Sequence, residues 1–235
     1  MILYDQRGFG ASRPTGDYDP GDAPALTGDL AHLLDHLDLK SGLVIVGHSL
    51  GTLPALDFAQ ANPERVAALV LSSAYGALST AELAPRIAAR AALFSGAPPA
   101  PRLLVQRSPD EVMPYGIAEQ DFGPLSARAR DEQPELAYLY GALAGTGPGP
   151  SIAALAPVFS SCRKISAYQA HALPFPVLLI GGEVDPVFPP AELALAAAAF
   201  ARGRFACLAG AGHSSYFERP ETFNAELVAL LDHLA

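Results

Sequence analysis

The stretch LVIVGHSLGTLPALDF, Leu43–Phe58, constrains the fold more than any other part of the chain. It reads as a buried strand, then Gly47-His48-Ser49-Leu50-Gly51, then a helix that Asn62-Pro63 should end. A serine with glycine two positions away on each side suits a turn too tight for larger flanking side chains. Such a turn lifts the hydroxyl clear of the sheet and aims the N-terminus of the next helix at it. The amides and positive dipole end there favour a developing oxyanion, with Leu50 N–H as the obvious donor.

The rest of the chain supplies a sheet for that turn. Apolar runs without polar alternation recur at Met1–Tyr4, Leu43–Val46, Val66–Leu71, Val177–Ile180 and Arg204–Leu208. These are expected to be parallel strands covered on both faces. Helical patterns fall between them. Leu30, Leu33, Leu34 and Leu37 share an apolar face opposite Asp29, His32, Asp35 and His36, and further helices are expected at Ala191–Ala201 and Glu221–Leu234. Alternating strands and helices imply an α/β fold with a parallel sheet.

From Gly76 to about Leu173 the alternation stops. Ser79 with Glu82 resembles a capping box whose helix Pro85 would kink, Glu132–Leu143 reads as a helix, and Gly145–Pro150 as a loop. The expected organisation is a core in two parts, 1–76 and 174–235, with a mainly helical lid inserted at 77–173.

A serine hydroxyl needs a base, and the base a partner that holds its tautomer. Of the six histidines, His213 follows the strand at Arg204–Leu208 on a Gly-rich loop, where open parallel sheets place their sites. His32 and His36 lie on a solvated helix face with no third ligand nearby. His48 should point away from the attack site, and His171 and His233 have no supporting context. For the acid, GGEVDPVFPP offers Asp185, preferred for its place on the Asp-Pro turn, with Glu183 as the alternative. The order serine, acid, histidine is that of a known class of triads.

The 235 residues can bury one sizeable core. A net charge of −9 argues against nucleic-acid backbones. No apolar run approaches the ~20 residues of a membrane span. Cys162 and Cys207 have neither metal nor disulfide spacing. The expectation is a soluble, cytoplasmic protein acting on a small molecule, with no membrane or nucleic-acid partner and no metal or organic cofactor.

YDQRGFGAS at Tyr4–Ser12, GHSLG at Gly47–Gly51, GEVDPVFPP at Gly182–Pro190 and GAGHSSYFERPETFN at Gly210–Asn224 together resemble the α/β-hydrolase superfamily, specifically its lid-bearing small-molecule hydrolases. The resemblance implies a mostly parallel sheet with helices on both faces, and a Ser49–Asp185–His213 triad working through an acyl-enzyme. Asp5 and Arg7 look structural by the same comparison. It also implies that Met1–Tyr4 is the fourth strand of the family's sheet, so that earlier strands and the oxyanion loop are missing and Met1 is an internal position of a longer ancestor. A gap should then separate this strand from the elbow strand, unless the two come together. Only the Leu50 donor would remain, where loss of one donor typically costs about 10²–10³ in rate.

Phe188, Tyr216 and Phe217 flank the acid and base and are candidates for an apolar acyl pocket. Small neutral or apolar esters or lactones are the expected substrates. A carbon–carbon bond hydrolase would need a basic lid residue, for which Arg163 and Lys164 are candidates. A proline iminopeptidase-like enzyme would need lid carboxylates, from Glu111, Glu119, Asp121, Glu132 and Glu135; the His-Ser-Leu elbow and the absence of Trp weigh against it. A non-catalytic ligand-binding protein and an inactive fragment are the readings from a different class.

Overall fold

In the computed structural model, residues 1–13, 16–17, 19–94, 125–145, 155 and 157–234 are described. A four-stranded parallel sheet runs β1 (Leu43–His48), β2 (Val66–Ser72), β5 (Val177–Gly182), β6 (Gly203–Leu208) in that order. Every pairing in it is parallel, for example Leu43 with Val66, Leu71 with Leu179 and Ile180 with Ala206. Side chains alternate between the faces, and the inner strands β2 and β5 are covered on both. Leu69, Leu71, Val177 and Leu179 face one core, which they share with α1 (Ala23–His36), α2 (Thr52–Ala61) and the helix Pro190–Ala198. Ala68, Val70, Leu178 and Ile180 face the other, closed by Phe223 and Leu230 of the helix Pro220–Asp232. That two-sided burial is why β2 and β5 lack polar alternation in the sequence.

Met1–Tyr4 departs from expectation. It is not a strand, and Met1, Ile2, Leu3 and Tyr4 are all exposed. A strand is held by a neighbour's ladder, and among the described residues β1 pairs only with β2. The apolar run therefore has the composition of a strand but pairs with none, although the outer edge of β1 is unpaired among the described residues. It has not moved beside the elbow strand either, and Val46 of β1 stays exposed.

The segment between β2 and β5 also holds a surprise. Its two ends meet in a short parallel pair, β3 (Leu78–Ser79) with β4 (Ile165–Ser166), which the sequence reading missed. Ser79 is thus occupied in a strand, and Thr80 makes the turn instead, its hydroxyl accepting from Leu83 N at 3.2 Å. Helix α3 (Ala84–Phe94) then begins, with Pro85 in its first turn, where the missing N–H costs nothing and no kink is needed. Where one helix was expected over Glu132–Leu143 there are two, α4 (Ala127–Glu132) and α5 (Pro134–Gly145), divided at Pro134. The expected loop at Gly145–Pro150 lies, beyond Gly145, outside the described residues.

Candidate active site

Ser49 sits at the C-terminal end of β1, in a single 3-10 turn, Ser49–Gly51, that leads into α2. Its φ is +50°, in the left-handed region that non-glycine residues rarely adopt. The strain is held from two sides. At Gly47 an added Cβ would lie 2.5 Å from the Gly51 carbonyl oxygen and 2.9 Å from Ala55 Cβ, so the turn closes only over glycine. Thr52 Oγ1 donates to Ser49 O at 2.6 Å and accepts from Gly76 N at 3.1 Å, tying the turn to the start of the next segment. Gly51 is different: among the described residues the only atom within 4 Å of its absent Cβ is Gln6 Nε2, at 3.8 Å. The steric requirement expected on both sides of the serine exists on one.

His213 is almost wholly buried, with Nε2 2.9 Å from Ser49 Oγ and Nδ1 3.0 Å from Asp185 Oδ2. The carboxylate can only accept, so Nδ1 carries the proton and the Nε2 lone pair is left for the serine O–H. Asp185 is fully buried, and its second oxygen accepts from Val187 N at 2.8 Å and Phe188 N at 3.0 Å. The Asp-Pro turn thus holds its own acid in place. Glu183 does not reach the histidine; it accepts from Gly210 N at 2.9 Å, bracing the base of the same loop. Gly182, at the end of β5, lets that loop cross, since a Cβ there would lie 2.2 Å from the carbonyl oxygens of Ala211 and Gly212. Leu50 follows Ser49 in the turn at the head of α2, where first-turn amides have no partner within the helix.

The aromatic candidates divide. Phe188 is buried, stacks on His213 with ring centroids 6.1 Å apart, and meets Tyr75 edge-on at 5.3 Å. Tyr216 is partly exposed and meets His48 edge-on at 4.8 Å. Phe217 turns toward Tyr140 of α5, 5.1 Å away. His48 is closer to the centre than expected: its ring lies 5.2 Å from that of His213, and its Nδ1 is 3.1 Å from Ser72 Oγ. Burial pushes the His48 pKa well below the usual histidine range, and His213 beside it acts in the same direction.

Around this centre lie groups the sequence reading did not single out. The buried Glu218 carboxylate accepts from Gly212 N at 2.9 Å, Ser126 N at 3.1 Å and Ser126 Oγ at 2.5 Å. Burial pushes its pKa up, against the pull of the Ser126 and Gly212 donors and of Arg219. Tyr140 and Ser214 share a hydroxyl hydrogen bond of 2.8 Å, and burial raises the Tyr140 pKa to about 12. Buried Glu192 binds Arg86 at 2.8 Å and Tyr75 Oη at 3.2 Å. Only the spacing of Glu218 behind His213 could have hinted at any of this, since the partners are far apart in sequence.

Other candidates lie elsewhere. Arg163 is paired with Asp57 of α2, and Lys164 donates to Phe159 O and lies 3.3 Å from Cys162 Sγ. Glu132 is exposed and paired with Arg128, Glu135 is exposed, and Glu111, Glu119 and Asp121 fall outside the described residues. Arg7 forms a two-pronged pair with Asp29 of α1, while Asp5 accepts from Ala11 N at 3.1 Å, so both brace loops. Among the described residues no group of three or more His, Cys, Asp or Glu side chains is placed to hold a metal, and no helix is long and apolar enough to cross a membrane.

Comparison with known proteins gives the family and the fold. The family described as alpha/beta hydrolase fold matches residues 1–220. BpoC of Mycobacterium tuberculosis, named as a non-heme bromoperoxidase, is 27% identical over 237 residues, covering 97% of this chain and 80% of that protein. Among solved structures, a thermophilic esterase from Thermogutta terrifontis superposes with a TM-score of 0.71 at 25% identity, covering 98% of this chain and 78% of that one. The 2-hydroxy-6-oxo-6-phenylhexa-2,4-dienoate hydrolase of a Rhodococcus strain superposes at 0.63 with 19% identity, covering 97% and 78%.

Proposed function

The chain belongs to the alpha/beta hydrolase fold family, and from that premise we propose that it is a serine hydrolase of small neutral or apolar esters or lactones. One observation carries the reading. The two hydrogen bonds from Asp185 through His213 to Ser49, at 3.0 and 2.9 Å, connect an acid, a base and a hydroxyl on a strained turn. His213 Nε2 takes the Ser49 proton as Oγ attacks the carbonyl carbon, and Asp185 stabilises the imidazolium that results. Leu50 N–H donates to the oxyanion. His213 then returns the proton to the leaving alcohol, and a water activated the same way releases the acid and restores Ser49.

Segment 77–173 acts as the lid in this reading, and Tyr216 offers an aromatic surface at the site. The ester reading is favoured over carbon–carbon bond cleavage because both candidates for the basic residue that reaction would need are engaged elsewhere, Arg163 by Asp57 and Lys164 by Phe159 O. Incubation with a fluorophosphonate probe should give one adduct per chain by intact mass, lost in Ser49→Ala. Turnover of a p-nitrophenyl ester should fall by about 10⁴-fold or more in the same variant. Retained labelling or turnover in Ser49→Ala would end the mechanism.

A further inference from the structure

The base of the proposed reaction is carried on residue 213, and the residues on either side of it are both held by the segment inserted between β2 and β5. On one side, Gly212 N donates to Glu218 Oε1, and the same carboxylate takes both donors of Ser126. Ser126 is the N-cap of α4, with its hydroxyl accepting from Ala129 N at 3.0 Å. On the other side, Ser214 Oγ meets Tyr140 Oη of α5. The packing at Gly212 is close: a Cβ there would lie 2.7 Å from Ser126 N and 2.9 Å from Glu218 Oε1. Leu125, Ser126 and Ala129 are buried, and Leu125 and Ala129 share an apolar cluster with Phe217.

We propose that Glu218 is a positioning residue, which together with Tyr140 makes the inserted segment part of the mount that aims His213 at Ser49. This inference rests on the serine-hydrolase reading above. A carboxylate accepting three hydrogen bonds is a rigid three-way joint. It fixes the backbone one residue before the imidazole against a helix that belongs to neither half of the sheet. Docking of α4 and alignment of the base are therefore one event. A chain in which α4 is displaced keeps Ser49 on its turn but loses the support of its base. A merely structural buried carboxylate would affect how much folded protein there is, and not the reactivity of the folded fraction.

The test compares Glu218→Ala with Glu218→Gln in the full chain, below the melting temperature of both, with folding checked by circular dichroism. The amide oxygen of Gln can accept from Gly212 and Ser126 N while its NH₂ donates to Ser126 Oγ, so it keeps the joint in contact. Ala removes it. The second-order rate of fluorophosphonate labelling should fall at least about tenfold in folded Glu218→Ala, because small misplacement of a reacting group is costly, and should largely recover in Glu218→Gln. With an ester substrate the loss should lie in kcat and not in KM. Labelling of folded Glu218→Ala at the wild-type rate would overturn the proposal. If Glu218→Ala does not fold, the double variant Ser126→Ala/Tyr140→Phe decides in its place, by the same two outcomes.

Should wild type itself fail to label, the hydrolase reading is lost and the mount is read by NMR instead. The far-downfield proton of His213 Nδ1–H, bonded to Asp185, should be present in wild type and Glu218→Gln and lost in Glu218→Ala. Its persistence in Glu218→Ala, or its absence from wild type, would overturn the mount on its own.

Discussion

A Cβ on Gly47 would be driven into the Gly51 carbonyl, whereas one on Gly51 would meet, among the described residues, nothing closer than the Gln6 amide at 3.8 Å. Gly51 also has ordinary helical backbone, with φ −63° and ψ −15°, so alanine is compatible there. Gly47→Ala should cost about 1–3 kcal/mol through forced backbone shifts and should slow probe labelling of Ser49. Gly51→Ala should be stabilising by about 0.4–1 kcal/mol, since it restricts the unfolded chain without straining the folded one. Urea denaturation of the two variants checks the contrast; equal destabilisation would mean that the turn is symmetric after all. At this scale the sequence was informative where function concentrates several signals in a few adjacent residues. Ser49, Asp185 and His213 each sit on a short strand-to-loop pattern that can be read locally. Thr52 could not be read that way, because its value lies in bonding Ser49 O and Gly76 N at once. Nor could Glu218, whose partner Ser126 is 92 residues away.

Among the elements, β2 and β5 were legible because two-sided burial writes itself as an unbroken apolar run, and the edge strands β1 and β6 keep enough of it to be read despite exposed Val46, Arg204 and Cys207. Met1–Tyr4 carries the same signal and is no strand, which shows what the signal means: it reports suitability for burial, and a ladder has to be supplied by another element. The β3–β4 pair failed the other way. Two residues on each side are too few to make a pattern, and their pairing spans the whole inserted segment. The pin between α3 and the helix Pro190–Ala198 was equally hidden. There Arg86 meets a Glu192 carboxylate that is buried and also bonded to Tyr75 Oη. Arg86→Met should destabilise by about 1–3 kcal/mol, less than for a fully buried pair because the guanidinium is partly solvated. In the Arg86→Met/Glu192→Gln double variant the losses should be less than additive, since either change alone already breaks the pair. Melts of the single and double variants measure it, and additive losses would show that the two side chains do not interact.

For the molecule as a whole, the question is whether the inserted segment is a separate module or part of one cooperative unit. Its described ends argue for the second. Tyr75, Leu78, Leu83 and Ile165 are fully buried, and Ile87 nearly so, in the same cluster as Leu71, Val177 and Leu179 of the sheet and Leu56 and Phe58 of α2. Arg86–Glu192 and Ser126–Glu218 then tie the segment to the core at two further places. A cavity made on the segment's side of that cluster should therefore weaken the sheet as much as one made within it. Leu83→Ala should cost about 2–5 kcal/mol, the range for deleting a buried leucine side chain. For a chain of this size that lowers the melting temperature by roughly 4–20 °C. Leu179→Ala, on β5, should behave alike, and both should melt in a single transition that coincides by far-ultraviolet circular dichroism and by tyrosine fluorescence. If the segment were an independent module, Leu83→Ala would instead split off an early, small transition and leave the main one where it was. That result would also uncouple α4 from His213, so the same melt bears on how the base is held.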